Sequence, residues 1–105
     1  MANIRLEKLT EMLNKQPNDA FLHYAVAMEH LGLNNPNLAQ EWFSKVLVLE
    51  PKNIATHYQL GMLLHQKGDE KGAITLLEKG EALARANGDL KTANEFKTAI
   101  EEIIY

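Results

Sequence analysis

A chain of 105 residues has room for one folded domain and no second. Eleven Lys and Arg against fourteen Asp and Glu leave a net charge of −3, which excludes the basic footprint of a protein that tracks nucleic-acid phosphates. Cysteine is absent, so disulfides, thiolate nucleophiles and cysteine metal sites are excluded as well.

The opening stretch, Met1-Ala-Asn-Ile-Arg-Leu-Glu-Lys-Leu, mixes charge with short apolar steps and does not read as a secretory leader. No run approaches the roughly 18 apolar residues of a membrane span, so the expected setting is cytoplasmic, without membrane contact. Residues 3–15 place Ile4, Leu6, Leu9, Met12 and Leu13 along one side of a helix. Asn18 and Asp19 after Pro17 start a second helix, running to about Leu31 with Gly32 as a left-handed stop. Asn35 caps a third, with Pro36 at its first position, ending at about Glu50 before Pro51. Asn53 opens the next, which stops near Lys67-Gly68. Asp69 opens another, which reaches about Asn87. Gly88-Asp89 is a stop-and-cap pair, after which Ala93, Phe96, Ala99, Ile100, Ile103 and Ile104 form an apolar stripe. Six helices and no strand signal follow, joined by turns short enough to favour antiparallel neighbours.

Pro17 and Pro51 lie 34 residues apart, and the same shift superposes much else. It pairs His23 with His57, Tyr24 with Tyr58, Met28 with Met62, Ala39 with Ala73, Lys45 with Lys79 and Leu49 with Leu83. Similar pairs fill the gaps, so the chain holds an internal repeat of two helices per unit. One such hairpin cannot bury its own apolar face, so neighbouring units must complete the core. The small residues Ala27, Gly61, Ala39 and Ala73 let paired helices approach closely.

These residues resemble the tetratricopeptide repeat, a 34-residue helical hairpin. Residues 54–87 carry the pattern nearly whole, with Leu60-Gly61, Gly68-Asp69, Ala73 and Leu77, and residues 20–53 carry a looser copy with Val26-Ala27, Ala39, Phe43, Val46 and Pro51. His23 and His57 stand at the family's tryptophan place. Gly80 stands where alanine is usual, and by propensity it loosens its helix by roughly 1 kcal/mol. The resemblance implies an all-α, right-handed superhelical stack of antiparallel hairpins in a small standalone protein of bacterial type. It implies a single domain over 1–105, with a leading helix at 3–15, repeats at 20–53 and 54–87, and a capping helix at 89–105.

In that family the first helix of each hairpin lines a concave groove for a peptide or helix of a partner. The resemblance places Phe21, Tyr24, Met28 and Leu31, then Ala55, Tyr58, Gln59, Met62 and His65, on that face. Tyr and Met make such a surface apolar and adaptable. The implied function is non-catalytic: an adaptor burying apolar partner side chains, with the phenols and Gln59 holding the partner backbone. Replacing Tyr58 and Met62 together by alanine is expected to abolish capture and leave helicity nearly intact. The alternative is a homodimer, or larger homo-oligomer, formed through the groove or through a last-helix seam of Phe96, Ile100, Ile103 and Ile104. Groove positions hold no lysine or arginine to grip a carboxylate, which argues against the subfamily that binds acidic chaperone tails.

Nothing implies a cofactor, a metal or an enzyme. No His pair has the i, i+3 or i, i+4 spacing of a helical metal site, so His23, His30 and His57 read as packing or surface residues and His65 as a polar groove contact. Ser44 is the only serine, and no nucleophile elbow or phosphate loop surrounds it. Trp42 reads as packing against an adjoining hairpin. A 35-residue RNA-binding repeat is disfavoured by the period and by the negative charge.

Overall fold

The computed structural model describes residues 3–105, which form six α-helices and no strand among the described residues. They are α1 (Ile4–Lys15), α2 (Ala20–Gly32), α3 (Pro36–Leu49), α4 (Ile54–Gln66), α5 (Glu70–Ala86) and α6 (Leu90–Ile104). The chain divides into two compact units, Met1–Pro51 and Lys52–Tyr105.

Each helix from α2 to α6 starts on the expected polar residue. The carboxylates of Asp19, Asp69 and Asp89 and the amide oxygen of Asn53 accept from the backbone N–H three residues on, satisfying donors the helix leaves open. Asn3 does the same for α1. Asn35 stands at its start without a side-chain cap bond, and Pro36 follows at the first turn.

The left-handed residue after α2 is not Gly32, which lies inside the helix, but Asn34, with φ of 60°. Its counterparts after α4 and α5 are Gly68 and Gly88. At all three ends the next backbone N–H reaches back to the helix: Asn35 to His30, Asp69 to Leu64 and Asp89 to Ala84, each at 2.9 Å. The residue that closes one helix therefore opens the next. That double use sets the tight antiparallel turn.

In the first unit, Leu13, Leu22 and Val26 form a core cluster against which Leu6, Leu9 and Trp42 pack. Ile4 and Met12 do not join it; they are 65% and 51% exposed. The spacing explains this, since 6, 9 and 13 share one face while Met12 lies about 100° around the helix from Leu13. The hairpin α2–α3 closes over Ala27, Ala39, Phe43 and Val46, all fully buried.

In the second unit Gly61 lets α4 lie close on α5, where a Cβ would stand 2.7 Å from Leu77 Cδ2. Leu77, Phe96 and Ala99 make the core, with Ile54, Tyr58, Met62, Ile100 and Ile103 packed on it. Phe96 rests its ring directly on Gly80, in the space a Cβ would take. The glycine that departs from the family's alanine is thus the seat of Phe96, a role that stands beside its propensity cost. The apolar stripe of α6 is likewise spent inside this unit. Phe96 is 1% exposed, and of the expected dimer seam only Ile104 is substantially open, at 56%.

Candidate partner-binding site

Four of the candidate residues lie on α2 of the first unit. Phe21, Tyr24, Met28 and Leu31 follow helical spacing and share one face. Phe21 is 74% exposed and Met28 37%, while Tyr24 and Leu31 are half-buried. The Tyr24 ring meets the edge of fully buried Phe43 at 5.6 Å between centroids, 66° between planes. The exposed pair thus stands on a helix braced from behind, and the face offers apolar contact at low ordering cost.

The second unit presents its candidates differently. Ala55 is exposed, and Tyr58, Gln59, Met62 and His65 are half-buried. Tyr58 packs edge-on against Phe96 at 5.5 Å and 75°, and Met62 leans on the same core. Truncating both would remove part of the unit's own packing, so loss of capture in that double variant would report on the unit's stability as well as on a partner contact.

Beside Tyr58 the second unit forms a concavity of about 320 Å³, lined by Lys91, Asn94, Glu95, Thr98, Ala99 and Glu102 of α6. Of the α4 candidates, Tyr58 alone lines it; Ala55, Gln59, Met62 and His65 do not. The sequence reading missed the α6 residues because the apolar stripe of that helix drew the interpretation toward a cap or a seam. Counting from the N-caps exposes them. Two, five and nine residues after Asp19 come Phe21, Tyr24 and Met28; after Asn53 come Ala55, Tyr58 and Met62; after Asp89 come Lys91, Asn94 and Thr98.

The histidines are built into the helices. His23 sits with Nε2 2.7 Å from the Pro17 carbonyl, and His57 with Nδ1 2.8 Å from the Asn53 carbonyl; in each, the facing ring nitrogen donates when it carries the proton. Both are buried. The Nδ1 of His65 is also buried, with no hydrogen-bond partner among the described residues. Trp42 lies tilted at 40° against His23, 5.3 Å between ring centroids, and carries the Lys45 ammonium 4.1 Å from its own centroid, both partners being residues of the first unit. The Asp89 carboxyl is held below the usual aspartate range, first by a hydrogen bond from the Thr92 side chain and then by the Thr92 N–H. Among the described residues no three His, Asp or Glu side chains gather as a metal-binding set, and no helix is long and apolar enough to cross a membrane.

A protein of repeated, tightly turned helical hairpins is the class these features define. Residues 54–87 match the model of the tetratricopeptide repeat family. The crystal structure of a tetratricopeptide repeat domain protein from Salinibacter ruber is 30% identical, over 81% of this chain and 94% of that one, with a TM-score of 0.74. The chain belongs to the tetratricopeptide repeat family. A Bordetella parapertussis protein solved in solution shares the fold at 23% identity and a TM-score of 0.83, over 99% of this chain and 90% of that one. So does PcrH, solved in complex with the chaperone binding region of PopD, at 16% identity and 0.85, over 94% and 75%. All are all-α hairpin folds of the TPR-like class that the repeat implied. No curated protein matches the chain in sequence.

Proposed function

We propose that the chain is a non-catalytic interaction module that binds an apolar segment of a partner protein. The observation that carries this reading is the α2 face, where Phe21 and Met28 stand open to solvent on one stripe above a braced Tyr24. Exposed aromatics on a rigid helix are the usual anchors of protein recognition. The concavity of the second unit supports the same reading: Tyr58, Asn94 and Thr98 place a phenol, an amide and a hydroxyl where a partner backbone could be held. That PcrH is seen with a segment of PopD supports a peptide as the partner's form. The remaining candidates, Leu31, Ala55, Gln59, Met62 and His65, border these two patches in this reading. A cytoplasmic single-domain adaptor is the setting we propose for it.

Selection of a displayed peptide library on the immobilised chain, followed by titration of the winning peptide, tests this. Phe21→Ala with Met28→Ala should weaken that peptide at least tenfold, which corresponds to about 1.4 kcal/mol. Both side chains are exposed, so the circular dichroism spectrum should not change. A selected peptide indifferent to both substitutions would take the α2 face out of the function.

A further inference from the structure

The concavity of the second unit differs in chemistry from the α2 face. Glu95 and Glu102 line it as exposed carboxylates, Ala99 is its buried floor, and half-buried Tyr58 on α4 forms another wall. Ala99 lies four residues after Glu95 and three before Glu102, the two spacings at which side chains meet on a helix surface. A long cationic side chain at that place would face both carboxylates. On α5 the chain supplies such a cation itself: Arg85, four residues after Glu81, pairs with it at 2.7 Å. On α6 the corresponding place holds a methyl group, and the concavity of about 320 Å³ opens beside it. Among the described residues no ion pair includes Glu95 or Glu102.

The surrounding charge is negative. With its cap Asp89, α6 carries four carboxylates against Lys91 and Lys97, and α4 has no Asp, Glu, Lys or Arg. Lys91 is the one cation in the lining, and it precedes Glu95 by four residues, the weaker order for a helix pair. The Tyr58 ring is braced edge-on against Phe96, so the aromatic wall is fixed. An aromatic beside two carboxylates suits a guanidinium better than an ammonium. The planar group stacks on the ring while its five N–H donors stay available in its plane.

We propose that this concavity seats an arginine side chain of the partner segment, with its guanidinium against Tyr58 and bonded to Glu95 and Glu102. The proposal rests on the reading of the chain as an interaction module and gives its second patch a ligand chemistry. Asn94 and Thr98, in the same lining, remain for the partner backbone. The face is not the one by which hairpin helices pair. Gly61 meets α5 eight residues after its cap, and the same place on α6 is Lys97, about 100° or more around the helix from Glu95, Thr98 and Glu102.

Titration of blocked tripeptides into the isotope-labelled chain, followed by amide NMR, tests the proposal. The probes are leucine–X–leucine, with X arginine, citrulline, lysine or glutamate; citrulline keeps the shape of arginine and removes its charge. The arginine probe should shift the amides of Asn94, Glu95, Thr98 and Glu102 and bind about fivefold more tightly than the citrulline probe. Glu95→Gln with Glu102→Gln should remove that preference and leave the circular dichroism spectrum unchanged, since both side chains are exposed. Equal binding of arginine and citrulline, or of arginine and lysine, would overturn the proposal, as would amides that no probe moves. A preference for the glutamate probe that Lys91→Ala removes would make the concavity an anion site and overturn it too. The α2 face is read separately. Library peptides that need Phe21 and Met28, with no arginine preference at α6, would sink this proposal alone; an arginine preference at α6 beside peptides indifferent to Phe21 and Met28 would uphold it and remove the α2 face.

Discussion

Gly80 stands inside a helix of 17 residues, where alanine would be favoured by about 1 kcal/mol on propensity alone. The ring of Phe96 occupies the space of the missing Cβ. Phe96 is almost wholly buried and cannot retreat without opening the core it makes with Leu77. Forcing an extra methyl into a packed core typically costs about 1–3 kcal/mol, which exceeds the propensity gain. Gly80→Ala should therefore lower the denaturation midpoint, and Gly80→Ala with Phe96→Leu should recover part of the loss. A midpoint raised by the single change would mean that propensity governs this position. Asn34 makes a related point about what a sequence displays. The left-handed place at the end of α2 was assigned to Gly32 because glycine is the usual occupant, yet the 34-residue period already aligned Asn34 with Gly68. Asparagine tolerates that backbone better than most side chains, so a composition rule pointed one way and the repeat the other.

At the scale of the element, α6 shows where a hydrophobic pattern is legible and where it misleads. Its apolar stripe announced a helix, and its cap at Asp89 was readable from the Gly-Asp pair. Which neighbour the stripe meets depends on Gly80 and Leu77, residues on another helix, so periodicity left open a seam between copies or a core within one. Tertiary packing decided for the core, and that freed the polar face of Lys91, Asn94 and Thr98 to line the concavity. The start of α6 depends on Asp89 accepting from Thr92. Because that carboxyl titrates lower in the folded helix than in the unfolded chain, its contribution is complete above the ordinary aspartate range. It is lost as pH falls through the lowered folded value. Amide signals of the first turn of α6 should lose protection from exchange over that acidic window. Asp89→Asn keeps an oxygen acceptor and should abolish this response while leaving the turn formed. An equal acid response in the asparagine variant would assign the effect to other carboxylates.

At the scale of the whole molecule, charge is spread unevenly over the helices that carry the proposed contacts. From Ile54 to Gln66 there is no Asp, Glu, Lys or Arg, and α2 has only Glu29, already bridged to Arg5. By contrast α6 carries Lys91, Glu95, Lys97, Glu101 and Glu102 within one helix. The repeat, the caps and the small residues fixed the family and its hairpins from sequence, because each is a local or periodic signal. The partner's chemistry is a property of surfaces that appear only once packing has chosen what to cover. With Phe21 and Met28 left open and α2 nearly uncharged, binding there must be driven by burial of apolar area. Calorimetry of a selected peptide should then show a negative heat-capacity change. Affinity should move less than tenfold between low and high salt, since screening acts on charges and not on apolar contact. A steep loss of affinity with salt would shift the main contact to the charged face of α6, and Glu95→Gln with Glu102→Gln would then replace Phe21→Ala as the substitution that weakens the complex.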